Sequence, residues 1–237
     1  MRNLKTIVLL SFGMTLVSLT CNAQADYTVK GKISGWPTET VYLVRQGDYE
    51  GVDSVKTSDG SFEFKGKIEG PTKAYLITKK RGGVAKFLYV EPGTITINGN
   101  FSSFKEVDVQ GSPSYSDFLK LQAGHEDIAF KTAQLSQQAE ESMDSEEIDA
   151  INNSIDSLNR ANIQFSQQFI KDHPNSVVSL EEIKSLSTIL DKGILMDLYN
   201  GLSEKVKQTP TGVMIGDALQ NVNNNVAIEE SSNTVGK

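Results

Sequence analysis

Between Val109 and Pro113 the chain changes its hydrophobic period once, and that change limits what it can fold into. Upstream, apolar residues alternate one by one, the period of a half-buried strand. Downstream they recur at three and four, the period of an amphipathic helix. A run of strands followed by a run of helices predicts an α+β fold rather than alternating βαβ units. The clearest strand signal is Asp53 to Gly66, where Asp59-Gly60 reads as a tight turn between two short strands folded back on each other. Glycine takes positive φ at no steric cost and Asp tolerates the neighbouring position. Beyond the turn, Phe62, Phe64 and Ile68 share one face, with Ser61, Glu63, Lys65 and Lys67 on the other.

About eight strands are predicted between Tyr27 and Val109. Turn residues separate them at Gly35-Trp36-Pro37, Gln46-Gly47-Asp48, Arg81-Gly82-Gly83 and Glu91-Pro92-Gly93. Regular spacing with no helical period between the turns points to an antiparallel sandwich or a partly open barrel over 26–112. From Pro113 to residue 222 the pattern is helical. One stripe is Phe118, Leu121, His125, Ile128, Thr132 and Leu135. A second, capped by Asp144, is Ile148, Ile151, Ile155, Leu158, Phe165 and Phe169, and it ends at Asp172-His173-Pro174. Joined by a short polar segment, the two form an antiparallel hairpin. Ser179 with Glu182 reads as a capping box for a third helix. Accessory helices carry Leu195, Leu198 and Leu202, then Met214, Ile215 and Leu219. The polar tail 223–237 is expected to be disordered.

The start of the chain carries an address. Arg2 and Lys5 precede an uncharged apolar run from Ile7 to Leu19, too short to span a hydrocarbon core that needs about 20 residues. With Ala23-Gln24-Ala25 as a small-x-small site, residues 1–25 read as a signal peptide, and the protein as exported to the periplasm or cell envelope. Cys21, the single cysteine, leaves with that peptide or, as Leu19-Thr20-Cys21 partly resembles a lipobox, becomes the lipidated first residue of a membrane-anchored protein. In either case no disulfide forms within the mature chain. Loss of Arg2 and Lys5 without any acid takes the formal charge from −7 to −9. An acidic surface without a basic cluster argues against nucleic acid and anionic lipid as partners, leaving a lipid anchor as the only route to a membrane.

The order Tyr27-x-Val29-x-Gly31, Val41-Tyr42-Leu43, Asp53-Ser54, Asp59-Gly60-x-Phe62-x-Phe64-x-Gly66, Phe87 through Glu91-Pro92-Gly93, Ile95-x-Ile97 and Val109-x-Gly111-Ser112 resembles a domain of unknown function. That domain is found at the N-terminus of exported bacterial thiol-disulfide interchange proteins, ahead of a thioredoxin-like domain. The resemblance implies a β module followed by a helical region and a polar linker, and a thioredoxin-like protein or another envelope protein as partner. Val235-Gly236-Lys237 is similar to the start of the redox domain, but its C-x-x-C pair is not among these residues, so redox activity is not carried over.

No motif for chemistry stands out. There is no P-loop, no G-x-S-x-G and no H-E-x-x-H, and no cofactor is expected. His125 and His173 lie in different elements with no ligand partner at metal spacing, so His125 reads as a core or rim histidine. The acid pairs Glu140-Glu141, Glu146-Glu147 and Glu181-Glu182 read as solvated helix faces. The reading that results is a non-enzymatic exported module with a binding or scaffolding role. An accessory half of a thiol-disulfide oxidoreductase, working with a thioredoxin-like domain on another chain, is the alternative. A hydrolase with a carboxylate site between the two halves is a third class. The expected ligand surface is the open end of the sandwich near Trp36, Tyr42, Tyr75 and Tyr89, where aromatic residues neighbour loops; the competing expectation is that the tyrosines pack under the helices and that Trp36 caps the sandwich end. Asp53-Ser54-Val55 resembles an O-glycan attachment site of exported bacterial proteins and Asp156-Ser157-Leu158 matches as well, with Ser54 the expected one because Leu158 lies on the apolar stripe.

Overall fold

The computed structural model describes residues 24–46, 52–79 and 83–220. Cys21 and most of the expected signal peptide lie outside these residues, as does the tail 223–237. Two four-stranded sheets stack face to face. Their strands are β1 (Ala25–Ser34), β2 (Thr40–Arg45), β3 (Val52–Lys56), β4 (Ser61–Ile68), β5 (Thr72–Ile77), β6 (Ala85–Val90), β7 (Gly93–Asn100) and β8 (Asp108–Gln110). One sheet has the order β4-β1-β7-β8, the other β3-β2-β5-β6, and neither closes into a barrel. The architecture is therefore α+β on an open sandwich. Val29, Ile33, Val41, Leu43, Ala74, Leu76, Leu88, Ile95 and Ile97 are fully buried between the sheets, as period-two alternation requires. All pairings are antiparallel except β1 with β7, which run parallel. The whole of the second sheet lies between them in sequence, and that long connection makes a parallel neighbour reachable.

The Asp59-Gly60 turn forms as its residues predict, with φ of 56° and 74°. The two strands it joins do not form a paired hairpin. Apart from a single bridge between Ser58 and Ser61, β3 pairs with β2 while β4 pairs with β1 in the opposite sheet. The turn is a corner between layers, which local residues cannot distinguish from a hairpin end. Gly60 also touches β1: its carbonyl accepts from Ile33 N–H at 3.0 Å, and a Cβ there would lie 2.0 Å from the Ile33 carbonyl oxygen. Both conformation and close approach require glycine here.

The helices are α1 (Pro113–Glu141), α2 (Ser145–Asp172), α3 (Val177–Leu186), α4 (Lys192–Asn200) and α5 (Glu204–Lys207), with a further helical stretch over 210–220. Asp144 caps α2 as expected, accepting from Glu146 N–H at 2.9 Å. The cap of α3 is Ser176 rather than Ser179; the Ser179 hydroxyl instead donates to the His173 carbonyl at 2.8 Å, and Glu182 turns toward α1. The helix begins one turn early because Val177 and Val178 are drawn into the sandwich core. On its other side Leu180, Ile183 and Leu186 join a second core with Leu195, Leu198, Leu202, Val206 and Ile215. A helix apolar on most sides is the buried centre of its layer. The long hairpin of α1 and α2 is different: its buried apolar side chains gather near the rest of the body, at Tyr115, Leu121, Phe169 and Ile170, and farther out only Ile151 is buried.

Candidate functional site

The two outer sheet faces differ in chemistry. Strand alternation places Thr28, Lys30, Lys32, Glu63, Lys65, Thr96 and Asn98 on the outer face of β4-β1-β7, a polar surface. On the outer face of β3-β2-β5 stand Val52 opposite Val44, Val44 opposite Tyr75, and Ser54 opposite Tyr42, which faces Ile77. Tyr42, Val44, Val52 and Ile77 are half-buried and Tyr75 is 40% exposed. Among the described residues the charges these strands carry on this face are Lys56 at one end and Lys73 at the other. An antiparallel sheet with one solvated face normally carries polar residues there. The first sheet obeys that rule and the second does not.

Helices cover only the β6 side of this face. Phe87 sits at the centre of an aromatic cluster, with ring centroids 5.6 Å from Tyr75, 5.3 Å from Tyr89 and 4.8 Å from Phe118 on α1. The cluster therefore starts beneath α1 and emerges at Tyr75. Beside it the Tyr89 hydroxyl donates to Glu181 of α3 at 2.9 Å, and Lys73 pairs with the same carboxylate. Burial first, then the charges of Glu181 and Glu91, push the Tyr89 phenol far above its ordinary pKa.

A second clamp holds α1 to the sandwich. Glu91, buried at the end of β6, accepts from the Ser112 hydroxyl, from Ser114 N–H at 3.0 Å and from the Ser114 hydroxyl at 3.1 Å. Ser112 is the cap of α1, so the carboxylate lies where the unpaired N–H groups and the helix dipole favour an anion. Gly111 (φ 82°) makes the bend that brings Ser112 there. The Glu-Pro-Gly and Gly-Ser segments that stand out in the sequence are the two sides of this one contact. Both segments are legible in the sequence, but nothing local to either one joins Glu91 to Ser112.

The four aromatic residues singled out from sequence do not share one surface. Tyr42 and Tyr75 lie on the open face. Tyr89 points the same way but is 1% exposed beneath α1 and α3. Trp36 belongs to a different cluster, edge-on to Phe101 at 5.7 Å and Phe104 at 5.4 Å, and its Nε1–H donates to Thr38 and to the Thr40 carbonyl. Ser54 is exposed in β3 beside Tyr42. Val44, Val52 and Ile77 were missed because alternation alone does not say that the polar positions of these strands would be apolar too.

The histidines lie between helices. His125 Nδ1 is 2.8 Å from Asn162 Oδ1, its Nε2 is 3.4 Å from Glu182, and its ring meets Phe165 edge-on. His173 stacks on Phe169 at 4.2 Å, with Nδ1 2.9 Å from the Phe169 carbonyl oxygen. Glu182 is thus a buried contact between helices and not part of a solvated acid pair. Among the described residues no three His, Cys, Asp or Glu side chains are grouped to hold a metal ion, and no helix is long and apolar enough to cross a membrane.

Fold and face together define an α+β protein whose sandwich presents one apolar outer surface beside a docked helix. Residues 27–118 match the model of a family described as Domain of unknown function (DUF4369). The matched stretch ends at Phe118, so it takes in the Glu91 clamp and the first part of α1 that packs on Phe87. None of the curated proteins and none of the solved structures compared with the chain matches it.

Proposed function

We propose that the protein is a non-enzymatic exported module of the cell envelope that binds another protein through the open face of the β3-β2-β5 sheet. The observation carrying this reading is the apolar row Val52, Val44 and Tyr75, in a sandwich that keeps its other outer face polar. Exposed aromatic residues with apolar neighbours are the usual anchors of protein interfaces. The resemblance noted above supplies the partner class, a thioredoxin-like domain on another chain or beyond these residues. A purified thioredoxin-like protein of the same envelope, mixed with the chain carrying a photoreactive residue at Tyr42, is expected to crosslink there. Tyr75→Glu should abolish the crosslink without unfolding the chain, because the ring is exposed. Equal crosslinking with and without that substitution would end the proposal for this face.

Export belongs to the same reading, while a glycan at Ser54 competes with it. The intact mass of the protein from its native cells is expected to show loss of the first 23 or 25 residues, or acylation at Cys21. A glycan at Ser54 would add its mass and would stand beside Tyr42 in the middle of the proposed face. An intact Met1 would overturn export, and a glycosylated Ser54 would overturn binding by this face.

A further inference from the structure

The sequence contains Asn-Gly twice, at Asn98-Gly99 and at Asn200-Gly201. An asparagine followed by glycine is a reactive context for loss of the side-chain amide, because a residue without a Cβ leaves the attacking main-chain nitrogen unhindered. In local sequence the two pairs are nearly equivalent. Their surroundings in the fold are not.

Asn98 lies inside β7, with Lys32 of β1 opposite on one side and Asp108 of β8 on the other. Its side-chain oxygen accepts from Lys32 N–H at 3.2 Å, so the reacting group is tied to the neighbouring strand. A Cβ at Gly99 would lie 2.8 Å from Val107 Cγ1, so packing accounts for that glycine. To bring the Gly99 nitrogen onto the Asn98 side chain, an inner strand must leave its neighbours.

Asn200 is the last residue of α4, exposed and without a side-chain hydrogen bond among the described residues. Gly201 N–H donates to the Asp197 carbonyl at 3.1 Å, a bond at the end of the helix, where fraying begins. The backbone does not require glycine here. Its φ is −70°, not the left-handed value that usually selects glycine at a helix end, and a Cβ would meet nothing closer than 3.4 Å.

We propose that Asn200 is a site of spontaneous deamidation and that the altered link loosens the helical core. The Gly201 nitrogen attacks the side-chain carbonyl carbon of Asn200, a C–N bond forms, and the side-chain nitrogen leaves as ammonia with the proton from Gly201. Water then opens the cyclic imide at either carbonyl, leaving aspartate or isoaspartate, with no oxidant or reductant involved. Isoaspartate carries the main chain through the side chain and lengthens it between Leu198 and Leu202, both buried in the second core. Either product also puts a carboxylate at the C-terminal end of α4, where the helix dipole disfavours it.

Peptide mapping of the full chain held in warm, mildly alkaline buffer, beside the same chain unfolded in guanidinium chloride, tests this. Unfolded, the two pairs should deamidate at similar rates. Folded, Asn200 is expected to react about tenfold faster than Asn98 or more, since a helix end opens at much lower cost than an inner strand. Gly201→Ala, which the helix end accommodates, should slow the reaction with helix content unchanged by circular dichroism. The aged chain should unfold at a lower guanidinium concentration than fresh chain, and Gly201→Ala aged alongside should keep its midpoint. An Asn200 that stays intact or reacts no faster than Asn98 in the folded chain, a rate indifferent to Gly201→Ala, or a deamidated chain as stable as a fresh one would overturn the proposal.

Discussion

At the scale of single residues, the same side-chain type does different work according to its surroundings. Tyr75 and Tyr89 project from the same outer sheet face, yet one ends in solvent and the other beneath two helices. Burial and two carboxylates hold the Tyr89 phenol protonated in the folded state well beyond its ordinary range, and burial raises Tyr199 as well. An unfolded tyrosine ionises near pH 10. Above that pH the unfolded chain releases protons that the folded chain keeps, so stability falls as pH rises. Urea titrations at successive pH values should show this decline beginning at about pH 10. Tyr89→Phe should make it shallower, with a remainder owed to Tyr199. An unchanged slope in the variant would show that Tyr89 does not carry the effect.

At the scale of elements, the decisive contact joins the end of β6 to the start of α1. Glu91 receives three hydrogen bonds from Ser112 and Ser114 in a buried position. Removing it leaves buried donors unpaired at the first turn of a long helix. Glu91→Ala is expected to cost about 2–4 kcal/mol, while Ser112→Ala, which loses a cap and one partner, should cost about 1–2 kcal/mol. The double variant should cost less than the sum, because the two share one interaction. Additive losses in chemical denaturation would mean that the clamp is not a coupled unit. The same contact explains why α1 begins where it does: the helix is capped locally by Ser112 and anchored from a strand 21 residues earlier in the chain.

At the scale of the molecule, two cores meet at α3. Val177 and Val178 belong to the sandwich core and Leu180 and Ile183 to the helical one, so the two halves are packed together rather than strung on a linker. The arm of α1 and α2 projects from this body with its distal stripe half-covered. One side of the molecule thus offers an apolar sheet face, and the arm offers a groove beside Leu135 and Leu158. Both consist of apolar residues that the described residues do not finish burying, which is the physical condition for an interface.

Several features were determined by the sequence alone because their causes lie within a few residues. The Asp59-Gly60 turn, the burial of Phe62, Phe64 and Ile68, the helical stripes and the Asp144 cap follow from steric preference, period and nearest-neighbour hydrogen bonds. Only the tertiary structure decided which strands pair. The turn that reads as a hairpin passes β4 to the other sheet, where β1 takes it up as an antiparallel neighbour and pairs in parallel with β7. It also decided that Glu91 meets Ser112, that Ser176 rather than Ser179 caps α3, and that Tyr75 is exposed while Tyr89 is not. Alternation assigns a residue to a face of its strand, but what covers that face comes from elements dozens of residues away. Local pattern carries no record of that distance, and the free energy that settles it arises only when the layers close.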